Sequence, residues 1–158
     1  MPAFNEEDRI EKTLNEYAEH LASTYGESAE IIIVLNGCTD RTGDVVKTIS
    51  NIRSTVRVLE FPEPLGKGGA VWEGLALARG RMMMYVDADN MVRFPEAQLL
   101  VNALANSDIA IGDRFTVQQK HKSQPIIRRI ISGAARLWIH HFLRLPYRDP
   151  QCGAKAFR

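Results

Sequence analysis

Two carboxylates one residue apart, Asp87 and Asp89, follow an apolar run at residues 82–86. The run is too short to span a membrane. It lies between a helix-like segment and Pro95, so it reads as a buried strand of a parallel sheet. Extended chain aims every second side chain the same way, which would put Asp87 and Asp89 on one side. Carboxylates held close repel unless a cation lies between them, and parallel strands keep their ligands at their carboxyl ends. One reading is therefore a site for a divalent cation and a phosphate ligand. The other is a polar turn with both carboxylates in water. A second stretch points the same way: Gly66, Gly68 and Gly69 flank Lys67 at the start of a helix, which is a weak phosphate signal. His140 and His141 are adjacent and diverge on a helix, and Cys38 and Cys152 fit no metal spacing.

The elements that must carry these groups alternate. Asn5 is a plausible N-cap, and a helix fits residues 6–23 through Ile10, Leu14, Tyr17, Ala18 and Leu21, with Glu6, Glu7 and Asp8 in its first turn. Residues 30–35 are apolar throughout and read as a central strand; Asn36-Gly37 turns, and Thr39 or Asp40 caps a helix to about Ile52. Residues 55–61 form a strand ended by Pro62 and Pro64, and a helix runs from Leu65 to Arg79. A helix from Pro95 to about Asn106 and a short strand at 108–112 follow. Residues 114–124 read as a loop. Residues 125–145 read as a basic amphipathic helix, either interfacial or packed on the core with its arginines in water. The order is that of an α/β domain on a mainly parallel, Rossmann-like sheet flanked by helices. One domain is expected over 1–158. Pro2 to Glu7 resembles a strand end entering a helix, so the chain looks cut at both ends.

Length and composition are those of a soluble globular domain, with neither a transmembrane run nor a signal peptide; a reducing cytoplasm is the default. The net charge of +1 conceals a division. Residues 1–113 hold 10 basic and 18 acidic residues, whereas residues 114–158 hold 10 basic residues and Asp149 alone. Such a split suits an anionic partner for the last third, or mutual neutralisation of the two parts. Nucleic acid is disfavoured as that partner, because aromatics for base stacking are sparse there.

Six stretches, in order and over nearly the whole chain, resemble the family-2 glycosyltransferases of the GT-A fold, and among them the polyprenyl- or dolichyl-phosphate hexosyl synthases. PAFNEE, VLNGCTDRT, LGKGGAVWEGLALARG, VDADN, IGDRF and DPQCGAKAFR are each similar to a family motif. The resemblance implies an inverting, metal-dependent transfer of a hexose from a nucleotide-sugar (UDP-glucose or GDP-mannose type) to a polyprenyl phosphate. It implies that Pro2, Ala3, Phe4, Asn5 and Glu6 line the base and ribose, with Lys67 and Ala88 beside the nucleotide. It implies that Asp87 and Asp89 hold Mg²⁺ or Mn²⁺, Asp89 together with the diphosphate. Arg114, Gln151 and Lys155 would face the phosphates or the acceptor phosphate. Leu35 and Asn36 stand at the nucleotide position where the family carries two acids, so base reading should be looser here.

A lipid phosphate is already an anion and needs cationic positioning, whereas a hydroxyl acceptor needs a base. No such base is visible downstream. The expectation is an enzyme peripheral to the inner face of the membrane. The alternatives are the same transfer to a sugar or protein hydroxyl, or a module that binds nucleotide-sugar without turnover.

Overall fold

The computed structural model describes residues 1–113, 141, 149 and 152–158. Two compact units are present, Met1–Ala110 with Gly153–Arg158, and Ile111–Cys152. In the second unit Asp149 and Cys152 are buried, and the Cys152 amide donates to the Asp149 carbonyl at 3.1 Å.

The first unit is built on two small sheets. β1 (Pro2–Ala3), β2 (Ile31–Asn36) and β3 (Val56–Phe61) form one, in that order and all parallel. β2 is central and buried along its whole length, as its uninterrupted apolar sequence requires. Its side chains divide by alternation. Ile32 and Val34 pack with Ala70 of helix α3 (Gly66–Ala76), joined by Leu59, Phe61 and Ala78. Leu35, on the opposite face, reaches toward Gly43 of α2 (Thr42–Ile52). Each fully buried aliphatic side chain of this layer contributes roughly 1.5–3 kcal/mol, which is what fixes the strand between its helices. α1 (Ile10–Tyr25) buries Ile10, Leu14, Tyr17 and Ala18, one stripe at helical spacing.

The second sheet has the order β4 (Met83–Val86), β6 (Ala154–Phe157), β5 (Ile109–Ile111). Its core joins Met84, Leu100, Leu104, Ala110 and Ala156 beneath α4 (Phe94–Ala103). Pro95 lies in the first turn of α4, where its missing amide costs nothing.

Four expectations need correction. β4 pairs antiparallel with β6, Val86 opposite Ala154, and only Val86 of its four residues is buried. An apolar run does not disclose the direction of its partner. α1 begins at Ile10, not at residue 6, and Asn5 is no N-cap: its φ is +52° and its side chain bonds Thr39. Glu6 to Asp8 form the turn before the helix, with the Glu6 carbonyl accepting from the Ile10 amide. α3 ends at Ala76, three residues short of Arg79. β6 carries no assignment in the sequence reading. The loop 114–124 and the helix 125–145 lie outside the described residues.

Candidate active site

Hydrogen bonds tie together the carboxyl ends of the strands. The loop after β1 is fastened to the loop after β2. Asn5 Oδ1 accepts the Thr39 amide at 2.9 Å, and the Glu6 amide donates to Thr42 Oγ1 at 2.7 Å. Thr42 Oγ1 in turn donates to Asp40 Oδ1 at 2.6 Å, and the Glu7 amide donates to Asp40 Oδ2 at 3.3 Å. Burial raises the Asp40 carboxyl, but these bonds and the Thr42 amide outweigh it and hold the group below the usual range. The loop after β3 is fastened to β2: Asn36 Oδ1 accepts the Leu65 amide at 2.7 Å, at the threshold of the glycine-rich turn. Gly37 makes this closure possible. Its φ is +71°, and a Cβ there would meet the Pro64 nitrogen at 2.8 Å.

β4 delivers the acidic pair to this rim. Asp87 follows its last residue, and the Asp87 amide donates to the Gly153 carbonyl at 3.1 Å. Its carboxylate pairs with Lys67 of the glycine-rich turn, Oδ2 to Nζ 2.8 Å. Ala88 and Asp89 form a turn rather than extended chain, so alternation is not what arranges the pair. Asp89 Oδ1 accepts the Met91 amide at 3.0 Å, and Asn90 takes the left-handed conformation with φ +56°. Helix α1 holds the turn from behind. Thr13 Oγ1 donates to the Ala88 carbonyl at 3.0 Å and Tyr17 Oη to the Val92 carbonyl at 2.8 Å. Glu16 accepts from Asn90, Arg93 and the Phe94 amide.

Glu6 joins the two halves of the rim electrostatically. Burial raises its carboxyl; Arg9, at 2.6 Å, opposes the rise, while the charges of Asp89 and Asp40 add to it. The charge of Asp89 thus acts on Glu6, and Asp87 and Lys67 lie beside each other.

The other predicted residues divide sharply. Phe4 and Asn5 are exposed, and Pro2 is half-buried. Ala3 and Ala88 are buried and could offer only backbone. Lys155 is half-buried; its ammonium donates to Tyr85 Oη at 3.2 Å and lies 5.4 Å from the centre of that ring. By register Tyr85 faces Lys155, one pleat along from Asp87 and Gly153. Arg114 and Gln151 lie outside the described residues. Leu35 and Asn36 are corrected. Leu35 is 1 % exposed, sealed between β2 and α2, and has no surface to offer a nucleotide. Asn36 is 6 % exposed and its carbonyl oxygen is committed to the Leu65 amide, so it shapes the rim rather than reading a base. Sequence reasoning missed Thr13, Thr42, Tyr85 and Gly153. Three of these lay inside motifs or the strand already singled out; Thr13 alone carried no signal.

A cavity of about 500 Å³ opens elsewhere, lined by Met1, Ile32, Gly74, Met84 and the Glu30–Arg57 pair among others. Of the predicted site residues that are described, only Pro2 borders it, so the others of that set gather elsewhere.

The donor set on the rim is oxygen, which suits a hard divalent cation. Among the described residues no three His, Cys, Asp or Glu side chains form a ready cage. Asp87 and Asp89 are two carboxylates, and Mg²⁺ is commonly held on one or two carboxylates completed by substrate phosphates.

Residues 1–154 match the family described as Glycosyl transferase family 2. The chain is 34% identical to the dolichyl-phosphate beta-glucosyltransferase of Drosophila melanogaster, over 99% of this chain and 52% of that one. It is 30% identical to the human protein of the same name, over 99% and 53%. Against glycosyltransferase AglD of Haloferax volcanii the identity is 31%, over 99% and 26%. The chain thus spans about half the length, or less, of the curated relatives it matches. A crystal structure of S. aureus TarS, residues 1–349, superposes with a TM-score of 0.57 at 22% identity, covering 78% of this chain and 36% of that one. That likeness establishes the fold as the expected α/β arrangement of the GT-A type.

Proposed function

The chain belongs to glycosyl transferase family 2, and from that premise we propose that it moves a hexose from a nucleotide-sugar to a polyprenyl phosphate. Glucose and a dolichyl-type acceptor are favoured, because those words stand in the names of relatives matched along 99% of this chain. The observation that carries the reading is the rim itself: Asp87, Asp89 and Lys67 gathered at the strand ends where such folds hold nucleotides.

A phosphate oxygen of the acceptor attacks the anomeric carbon from the face opposite the leaving group. The new carbon–oxygen bond forms as the bond to the nucleoside diphosphate breaks, with inversion. No proton need be removed from an acceptor that is already ionised, which relieves this chain of supplying a base. Asp89, with Asp87, would hold Mg²⁺ or Mn²⁺, which when bound offsets the charge developing on the departing diphosphate. Lys67 brings a cation to the same edge. Lys155 would face the acceptor phosphate, and the Tyr85 hydroxyl holds its ammonium in place; Arg114 and Gln151, to which the family resemblance gives the same role, lie outside the described residues. The loop from Phe4 to Glu6, cross-tied to Thr39 and Thr42, would form the wall for base and ribose. The enzyme would work peripherally at the inner face of the membrane, with residues 125–145 against the lipid. No described helix is long and apolar enough to cross a membrane.

Thermal unfolding of the chain with UDP- and GDP-sugars, with Mn²⁺ or with EDTA, tests the donor. A ligand of the folded state at a hundredfold its dissociation constant adds about 2.7 kcal/mol, a shift of several degrees. UDP-glucose with Mn²⁺ should give it, EDTA should remove it, and Asp89→Ala should abolish it. No shift with any nucleotide-sugar would overturn the reading.

A further inference from the structure

Gly153 has a backbone any residue could adopt, for its φ lies outside the left-handed region that Gly26, Gly37 and Gly66 occupy. Conformation is therefore not what calls for glycine. Space is: a Cβ built at Gly153 would lie 2.0 Å from Asp87 Oδ2 and 2.7 Å from Asp87 Cγ. The Asp87 carboxylate rests in the volume that any other residue at 153 would fill. Two further contacts define its place. The amide of Asp87 donates to the carbonyl of Gly153 at 3.1 Å, continuing the β4–β6 ladder by one bond, and Lys67 Nζ holds Oδ2 at 2.8 Å from the other side.

We propose that Gly153 is the positioning residue of Asp87: by leaving its own side-chain volume empty, it admits the one carboxylate rotamer that meets Lys67 and faces the nucleotide. The functional half of this statement rests on the proposed glycosyl transfer; the steric half does not. The consequence is specific. A methyl group at 153 displaces a short, partly exposed side chain rather than backbone, so the fold survives and the carboxylate turns away. The ion pair with Lys67 breaks, and whatever Asp87 holds loses its ligand. Through the ladder, β6 thus sets the carboxylate that β4 carries.

Three readouts on the full chain test it. A zero-length carbodiimide joins a carboxylate to an amine only when the two touch, so Lys67 and Asp87 should cross-link in wild type. Peptide mass spectrometry should show the product fall several-fold in Gly153→Ala and vanish in Asp87→Ala. Calorimetry with UDP should show the Mn²⁺-dependent part of the affinity fall by roughly 10–100-fold in Gly153→Ala, the range for losing a residue that orients a metal ligand. Gly153→Ala/Asp87→Ala should bind no worse than Asp87→Ala, because the two changes remove one thing. The melting midpoint of Gly153→Ala should stay within about 2 °C of wild type, a loss well under what core disruption costs. Undiminished cross-linking in Gly153→Ala would overturn the proposal. So would unchanged Mn²⁺-dependent affinity, or a drop in midpoint that Asp87→Ala does not relieve. Should wild type show no Mn²⁺-dependent affinity while cross-linking behaves as stated, the function falls and the steric assignment stands.

Discussion

Glu6 is where the electrostatics of the rim can be measured without any ligand. Its carboxyl is raised by burial and by Asp89 and Asp40, against the pull of Arg9. A raised carboxyl in the folded state means that ionised Glu6 costs stability, and that the cost disappears once the group is protonated in both states. Glu6→Gln should therefore melt higher than wild type near neutrality, by about 1–3 °C, and the gain should vanish below pH 4.5, the ordinary value for the group. Melting curves across that range decide it; a gain that persists in acid would mean that packing, not charge, is responsible. At this scale the sequence was informative about Asp87, Asp89 and Lys67, because acidic and glycine-rich stretches announce themselves by type. It misled about Leu35 and Asn36. Their place in a motif was legible, but burial at 1 % and 6 % depends on α2 and on Leu65, which approach from elsewhere in the chain.

Among the elements, α2 shows how a helix start can serve a site it does not enter. Asp40 accepts from the Thr42 amide, the Thr42 hydroxyl and the Glu7 amide, so one carboxylate ties the first residue of α2 to the loop after β1, although Arg41 and not Asp40 holds the N-cap position. Removing it in Asp40→Ala should cost about 1–2 kcal/mol. Because the hydrogen bonds hold the folded pKa down, this contribution is present above pH 3.8, the group's ordinary value, and is lost as pH falls further. Denaturant unfolding of both proteins should show their difference shrinking below that pH; a constant difference would contradict the assignment. The four described α-helices were legible in place, though α1 and α3 not in their bounds, and so were β2, from its uninterrupted apolar run, and β3, from its alternation. β6 was not: Ala154–Phe157 is four residues, and its partner Met83–Val86 lies 70 residues earlier. For the same reason the direction of β4 could not be read. Local pattern reports which faces are apolar, not which strand lies alongside.

For the whole molecule the charge division remains the broadest clue. The acidic first 113 residues carry the rim, and the 10 basic residues from 114 onward make an anionic partner chemically reasonable. The order of six motifs carried the family resemblance, and the match over residues 1–154 established membership. Acceptor and donor are read from chemistry and from relatives about twice as long as this chain. The central claim is therefore transfer itself. The chain should be incubated with radiolabelled UDP-glucose, Mn²⁺ and a short-chain polyprenyl phosphate in detergent, and the label in the lipid phase measured. The account predicts lipid-linked glucose that requires the phosphate on the acceptor and falls by roughly 10²–10³ in Asp89→Ala, the range for losing one electrostatic element of a transfer site. Label appearing equally on the unphosphorylated polyprenol, or undiminished in Asp89→Ala, or absent from the lipid altogether, would contradict it.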